Sequence, residues 1–172
     1  MTSMRELAAL LREMLAVGIV TEYALFRATA QRRYTEAVST MDADVLVGVS
    51  SPSSIDIPGP IYTFCASRGF QPEGESIRVG DWPVQFIPAF SPLTDEAMRE
   101  AEVAAIEGIP IRVVRPDHLG VIALSTGRPK DYARILALLE SGSVGRDDLQ
   151  KLAERHGLAG EWHRFQERFL QP

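Results

Sequence analysis

Between residues 39 and 51 the chain reads STMDADVLVGVSS, and this stretch limits the possible folds more than any other. Valine and leucine dominate it and a Ser/Pro loop follows, which predicts a β-strand over 42–49. Asp42 and Asp44 stand at the mouth of that strand, one residue apart. On an extended segment such a pair points to one face, with Cβ atoms roughly 6–7 Å apart. Like charges that close repel, and burying them unpaired is costly. Either they are solvated at a strand end, or something cationic sits between them.

The segments around this strand are short and mixed in type. Leu7, Leu10, Leu11, Met14 and Leu15 recur at helical spacing, with Thr2 or Ser3 as cap and Gly18 as stop, predicting an amphipathic helix. EYALFRATA (22–30) reads as a strand leading into a helix that holds Gln31, Arg32 and Arg33. IPGPIYTFCASRGF (57–70) opens on prolines and reaches Gly69 near its end, as a short helix should. ESIRVGDWPVQFIPAF (75–90) reads as two strands around a Gly80-Asp81-Trp82 turn. SPLTDEAMREAEVAAIEG (91–108) reads as one helix with acidic residues in its first turn, and IPIRVVR (109–115) as a strand. The remainder is helical, punctuated at Gly127, Gly142 and Gly157. The pattern predicts an α/β (α+β) domain: a mixed sheet flanked by helices over 1–115, and a helical C-terminal extension over 116–172, together one compact unit.

A chain of 172 residues with 45% apolar content suits a globular domain and argues against disorder. No apolar run of 18 residues occurs, so no membrane span is expected. Glu6 and Glu13 interrupt the first helix where a signal peptide has an uncharged core, and Cys65 is the sole cysteine. A cytoplasmic location is the expectation. The net charge of −5 is not that of a dedicated nucleic-acid binder. Residues 41–120 carry twelve acidic and five basic side chains, so a polyanion would approach through the basic flanks or a bound cation.

Three stretches in order carry a resemblance. They are YALFRATAQRRYTEAVSTMDADVLV from residue 23, GDWPVQFIPAF from 80, and GIPIRVVRPDHLGVIALSTGRPKDYARILALL over 108–139. Together, Asp42-x-Asp44 and Arg128-Pro129-Lys130-Asp131 resemble the signature of the polymerase-beta-type nucleotidyltransferase superfamily. The pattern is most similar to its AbiEii-type branch of toxin–antitoxin and abortive-infection systems. The resemblance implies a nucleotidyltransferase-like sheet in which Asp42 and Asp44 are catalytic and bind Mg²⁺, a hard cation that prefers oxygen ligands. Such ions clamp the attacking oxygen and the triphosphate for in-line displacement. It further implies nucleotide contacts at Arg27, Ala28, Arg128 and Lys130, and transfer of a nucleoside monophosphate to RNA, protein or a small molecule. A cognate toxin or antitoxin is the implied partner protein.

The chain departs from that pattern at three places. The Gly-Gly of the phosphate turn reads Arg27-Ala28, or Phe26-Arg27 in the neighbouring register. The third carboxylate reads Gln85, which cannot be an anionic ligand or a base. The helix lysine reads Ala123. Weakened or lost transfer is therefore expected, the alternative being a non-catalytic binding or scaffold module of the same fold. Arg27 offers a planar, always-charged fork that would serve Asp42 or Asp44 in place of a metal.

Other residues have plainer readings. Arg128, Lys130 and Asp131 either orient a ligand at a helix N-terminus or pair with one another as a cap. His118, His156 and His163 show no metal-ligand spacing, and His156 and His163 read as surface residues. Cys65 reads as core packing and EWHRFQERF as the closing layer of the core. Trp82 reads as a contact residue or a hairpin tip packed on the body.

Overall fold

The computed structural model describes residues 3–26, 30, 43–49 and 59–170. Helix α1 (Ser3–Val17) buries Met4, Leu7, Leu10, Leu11 and Met14 along the expected stripe, while Leu15 lies outside it at 37% exposure. Gly18, at φ 82°, ends the helix: its N–H donates to the Leu15 carbonyl and the Ile19 N–H to the Met14 carbonyl. That pair of bonds closes the helix end and requires a residue that tolerates the left-handed conformation.

The described residues then form β1 (Glu22–Phe26), β2 (Ala43–Gly48), α2 (Gly59–Ser67), β3 (Pro72–Glu73), β4 (Ser76–Val79) and β5 (Trp82–Pro88). These are followed by α3 (Pro92–Arg99), β6 (Glu102–Ile106), β7 (Ile109–Val113), α4 (Pro116–Thr126), α5 (Pro129–Glu140), α6 (Arg146–Arg155) and α7 (Ala159–Phe169). The strands make one seven-stranded sheet in the order β3-β4-β5-β2-β1-β7-β6. β2 runs parallel to β5 and β1 parallel to β7, and the other neighbours are antiparallel. The sheet is mixed, as the alternation of hairpins and helical crossovers requires.

Residues 91–108 are not one helix. Ser91 and Thr94 bond each other's backbone N–H groups and start α3 on Pro92, but the helix stops at Arg99. Glu107 (φ 52°) and Gly108 (φ 78°) both adopt the left-handed conformation of a tight hairpin turn. That turn pairs Ile106 with Ile109 and carries the register out to Glu102 and Val113. Strand pairing therefore overrides the helical preference of the Glu and Ala residues in 100–107. β6 lies at the sheet edge and is mostly exposed, so its sequence shows no apolar alternation.

Arg112 of β7 ties this region to the helical layer. Its Nε donates to the Tyr23 carbonyl at 3.1 Å and its Nη2 to the Met98 carbonyl at 2.7 Å, satisfying a carbonyl at the end of α3. At the other end of the chain, Trp162 and Phe165 of α7 are buried. Phe165 and Phe169 stack near Tyr132 of α5, with ring centroids 5.8 and 5.2 Å from it, so α7 does close the core. Cys65 is fully buried and Trp82 is half-buried against the core, as a packed hairpin tip. Among the described residues no helix is long and apolar enough to cross a membrane.

Candidate functional site

Asp44 is the second residue of β2 and is half-buried. It stands opposite Phe26 of antiparallel β1 and opposite Gln85 of parallel β5. Residues in register on neighbouring strands share a face, and strands lie about 4.8 Å apart. Phe26, Asp44 and Gln85 thus form a row across the centre of the sheet. Gln85, the position where the resemblance places a third carboxylate, carries a neutral amide in register with Asp44. Asp42, Arg27 and Ala28 lie outside the described residues, as does the helix expected around Arg32 and Arg33.

One cleft begins at Phe26, the residue before segment 27–29. Its walls include Phe90, Ala123, Arg128, Asp131 and Arg134. Ala123 stands where the resemblance places a lysine, so the cleft wall is apolar at that point. Phe90 is 64% exposed and presents a flat ring at the rim. Asp131 is 1% exposed, which makes its pairing obligatory. Its carboxylate accepts from Arg128 Nε at 2.7 Å, from the Arg128 N–H at 3.1 Å, and from Arg134 Nη1 at 3.1 Å. Burial pushes the Asp131 carboxyl up, but the Arg128 hydrogen bonds and the charges of Arg128 and Arg134 outweigh it and leave it below its ordinary value. Arg128 and Asp131 therefore do pair as the cap of α5, while the Arg128 guanidinium remains 46% exposed beside the cleft. Lys130, two residues after Arg128, is exposed.

No family model matches the sequence, and no curated protein matches it. Solved structures do. A crystal structure of ANT(2'')-Ia in complex with adenylyl-2''-tobramycin superposes with a TM-score of 0.52 at 15% identity, covering 98% of this chain and 99% of that one. An antigenic nucleotidyltransferase-like protein from Paracoccidioides brasiliensis superposes with a TM-score of 0.54 at 12% identity, covering 91% and 90%. The chain has a nucleotidyltransferase-like fold. The mixed sheet flanked by helices that the resemblance implied is therefore present, over nearly the whole length of both chains.

Within this nucleotidyltransferase-like fold a second polar cluster lies on the helices, and the sequence pattern missed it. Glu96 of α3 is 14% exposed and its Oε2 accepts from three neighbours. These are His118 Nε2 of α4 at 2.8 Å, Arg155 Nη2 of α6 at 2.5 Å, and His156 Nε2 at 3.2 Å. His163 is 71% exposed, as expected of a surface residue, but His156 is not: its side chain is 14% exposed because it turns inward to Glu96. No local signal marks this cluster, since its members are separated by 22 and 60 residues along the chain.

Burial raises the Glu96 carboxyl, yet the hydrogen bonds from His118, Arg155 and His156 hold it down at about 2. Burial lowers the His118 imidazolium, but the Asp117 and Glu96 carboxylates raise it above its ordinary 6.5. The two shifts act at opposite ends of the pH scale. Glu96, depressed from 4.5, contributes stability that is present above pH 4.5 and lost as pH falls toward 2. His118, raised from 6.5, contributes stability that is present below pH 6.5 and lost as pH rises through its folded value. In EDTA, thermal melting is expected to show its plateau between pH 4.5 and 6.5 and to decline on both sides. His118→Gln should flatten the alkaline limb; an unchanged limb would exclude His118 as its source.

Proposed function

We propose that this chain binds a nucleoside triphosphate with Mg²⁺ at Asp42 and Asp44, and that its nucleotidyl transfer is weakened or lost. The register of Asp44 with Gln85 carries this reading. Asp44 offers a carboxylate oxygen and Gln85 an amide oxygen, both hard donors that fit a hard divalent cation. The set lacks one negative charge and has no third carboxylate to take the acceptor's proton. Mg²⁺ supplies charge neutralisation of the triphosphate when bound. The chain's own residues do the rest: Phe90, 64% exposed, offers an apolar face to a base, and the Arg128 guanidinium, held by Asp131, offers its solvent-facing charge to a phosphate.

The acceptor we propose is a polycationic small molecule. The twelve acidic against five basic side chains in 41–120 support it, since such a field attracts cations and repels RNA. The tobramycin part of the adenylyl-2''-tobramycin in complex with ANT(2'')-Ia is of this chemical class.

Calorimetric titration of ATP, CTP, GTP and UTP in Mg²⁺ tests the proposal. Heat is expected in the wild type and none in Asp42→Asn/Asp44→Asn. Silence in both proteins would overturn it and select the non-catalytic scaffold.

A further inference from the structure

We propose that Glu96, Glu100 and His118, with His156 beside Glu96 as a further donor, form a binding site for a borderline divalent transition metal, with Zn²⁺ as the best-fitting ion. Nothing in the nucleotide reading assigns these residues a role, and none of them belongs to the row across the sheet. Glu96 and Glu100 lie one helical turn apart, Glu100 being the C-cap of α3. His118 comes from the first turn of α4, and His156 is the C-cap of α6.

The donor spacing suits a small tetrahedral ion. Zn²⁺ binds imidazole nitrogen and carboxylate oxygen at about 2.0–2.1 Å, which puts the ligand atoms of a tetrahedron about 3.3 Å apart. His118 Nε2 lies 2.8 Å from Glu96 Oε2 and 3.8 Å from Glu100 Oε2, and His156 Nε2 lies 3.2 Å from Glu96 Oε2. These separations bracket the required edge. Ligand atoms from Glu96, Glu100 and His118 all lie within 4.8 Å of one another, so small side-chain shifts would gather them around one ion.

The surroundings of His118 point the same way. The residue is 2% exposed, and its buried Nδ1 has no hydrogen-bond partner among the described residues. That atom faces Asp117 Oδ1 at 3.3 Å. A metal on Nε2 would fix the tautomer that carries a proton on Nδ1, close to a carboxylate that a small ring rotation would engage as the usual outer support of a metal-bound histidine. Two imidazoles beside two carboxylates favour Zn²⁺, Co²⁺, Ni²⁺ or Cu²⁺ over Mg²⁺ and Ca²⁺, which take oxygen ligands. Arg155 is the cation the metal would displace from Glu96, and at 57% exposure its guanidinium has solvent to retreat into. Binding would pin α3, α4 and the end of α6 together.

The test is melting of EDTA-treated full-length protein with ZnCl₂, and with MgCl₂ as the comparison. At hundredfold excess over Kd, Zn²⁺ is expected to raise Tm by roughly 5 °C or more, and any rise with equimolar Mg²⁺ to be smaller and unchanged by Glu100→Gln. Co²⁺ should give the visible absorption of a tetrahedral centre. Glu100→Gln removes a ligand that is 44% exposed and stands apart from the Glu96 hydrogen bonds, so its metal-free Tm should match the wild type. Its Zn²⁺ affinity should fall at least roughly tenfold. No Zn²⁺-induced rise in the wild type would overturn the proposal. So would an equal rise in Glu100→Gln and His118→Gln.

Discussion

Replacing Asp131 with alanine is expected to lower the melting temperature by roughly 4–12 °C. The side chain is 1% exposed and makes contacts of three kinds. It caps α5 through the Arg128 N–H, and it neutralises Arg128 and Arg134. Breaking a buried pair by removing one partner costs about 3–5 kcal/mol, and an N-terminal cap about 1. Both arginines reach solvent, at 46% and 24% exposure, so water recovers part of the loss. About 2–3 kcal/mol then remains, or roughly 2–4 °C per kcal/mol in a chain of this length. Asp131→Asn keeps an acceptor for the cap and loses the charge, so it should fall between wild type and Asp131→Ala. Equal melting of all three would show that the pairs contribute nothing.

Gln85→Asp is expected to produce the largest functional effect, and it is a gain. The substitution places a second carboxylate one strand from Asp44, in register. Without metal the added like charge should lower Tm, because the two groups share one face of the sheet. Mg²⁺ should restore it, and the Mg²⁺-induced rise should exceed that of the wild type. Losing one well-placed electrostatic group in an active site costs about 10²–10³ in rate, so restoring one is expected to raise transfer on the order of 100-fold. Counting labelled nucleotide incorporated into a polycationic acceptor measures it. A variant with no added Mg²⁺ response would mean that position 85 does not face the cation.

The elements differ in how far the sequence announces them. The α1 stripe and its Gly18 stop, the proline start of α2, and the turn between β4 and β5 were all legible, because each depends on contacts within a few residues. The strand over 102–106 was not: an exposed edge strand carries no alternation, and its Glu and Ala residues read as helix. Leu15 fits the helical period yet sits at the border of the stripe, where 37% of it meets solvent.

For the site, the family resemblance alone linked Asp44 with position 85, and strand pairing puts the two residues side by side. The Arg128–Asp131 choice between cap and ligand group needed coordinates, because a three-residue spacing allows both; burial of Asp131 decided it. The Glu96 cluster belongs wholly to tertiary structure. Residues 96, 118 and 156 sit on separate helices, and no periodicity or turn chemistry links them. Apolar patterning acts along a few turns of chain, whereas the meeting of distant polar groups depends on how packed helices dock, which is set by the whole core at once.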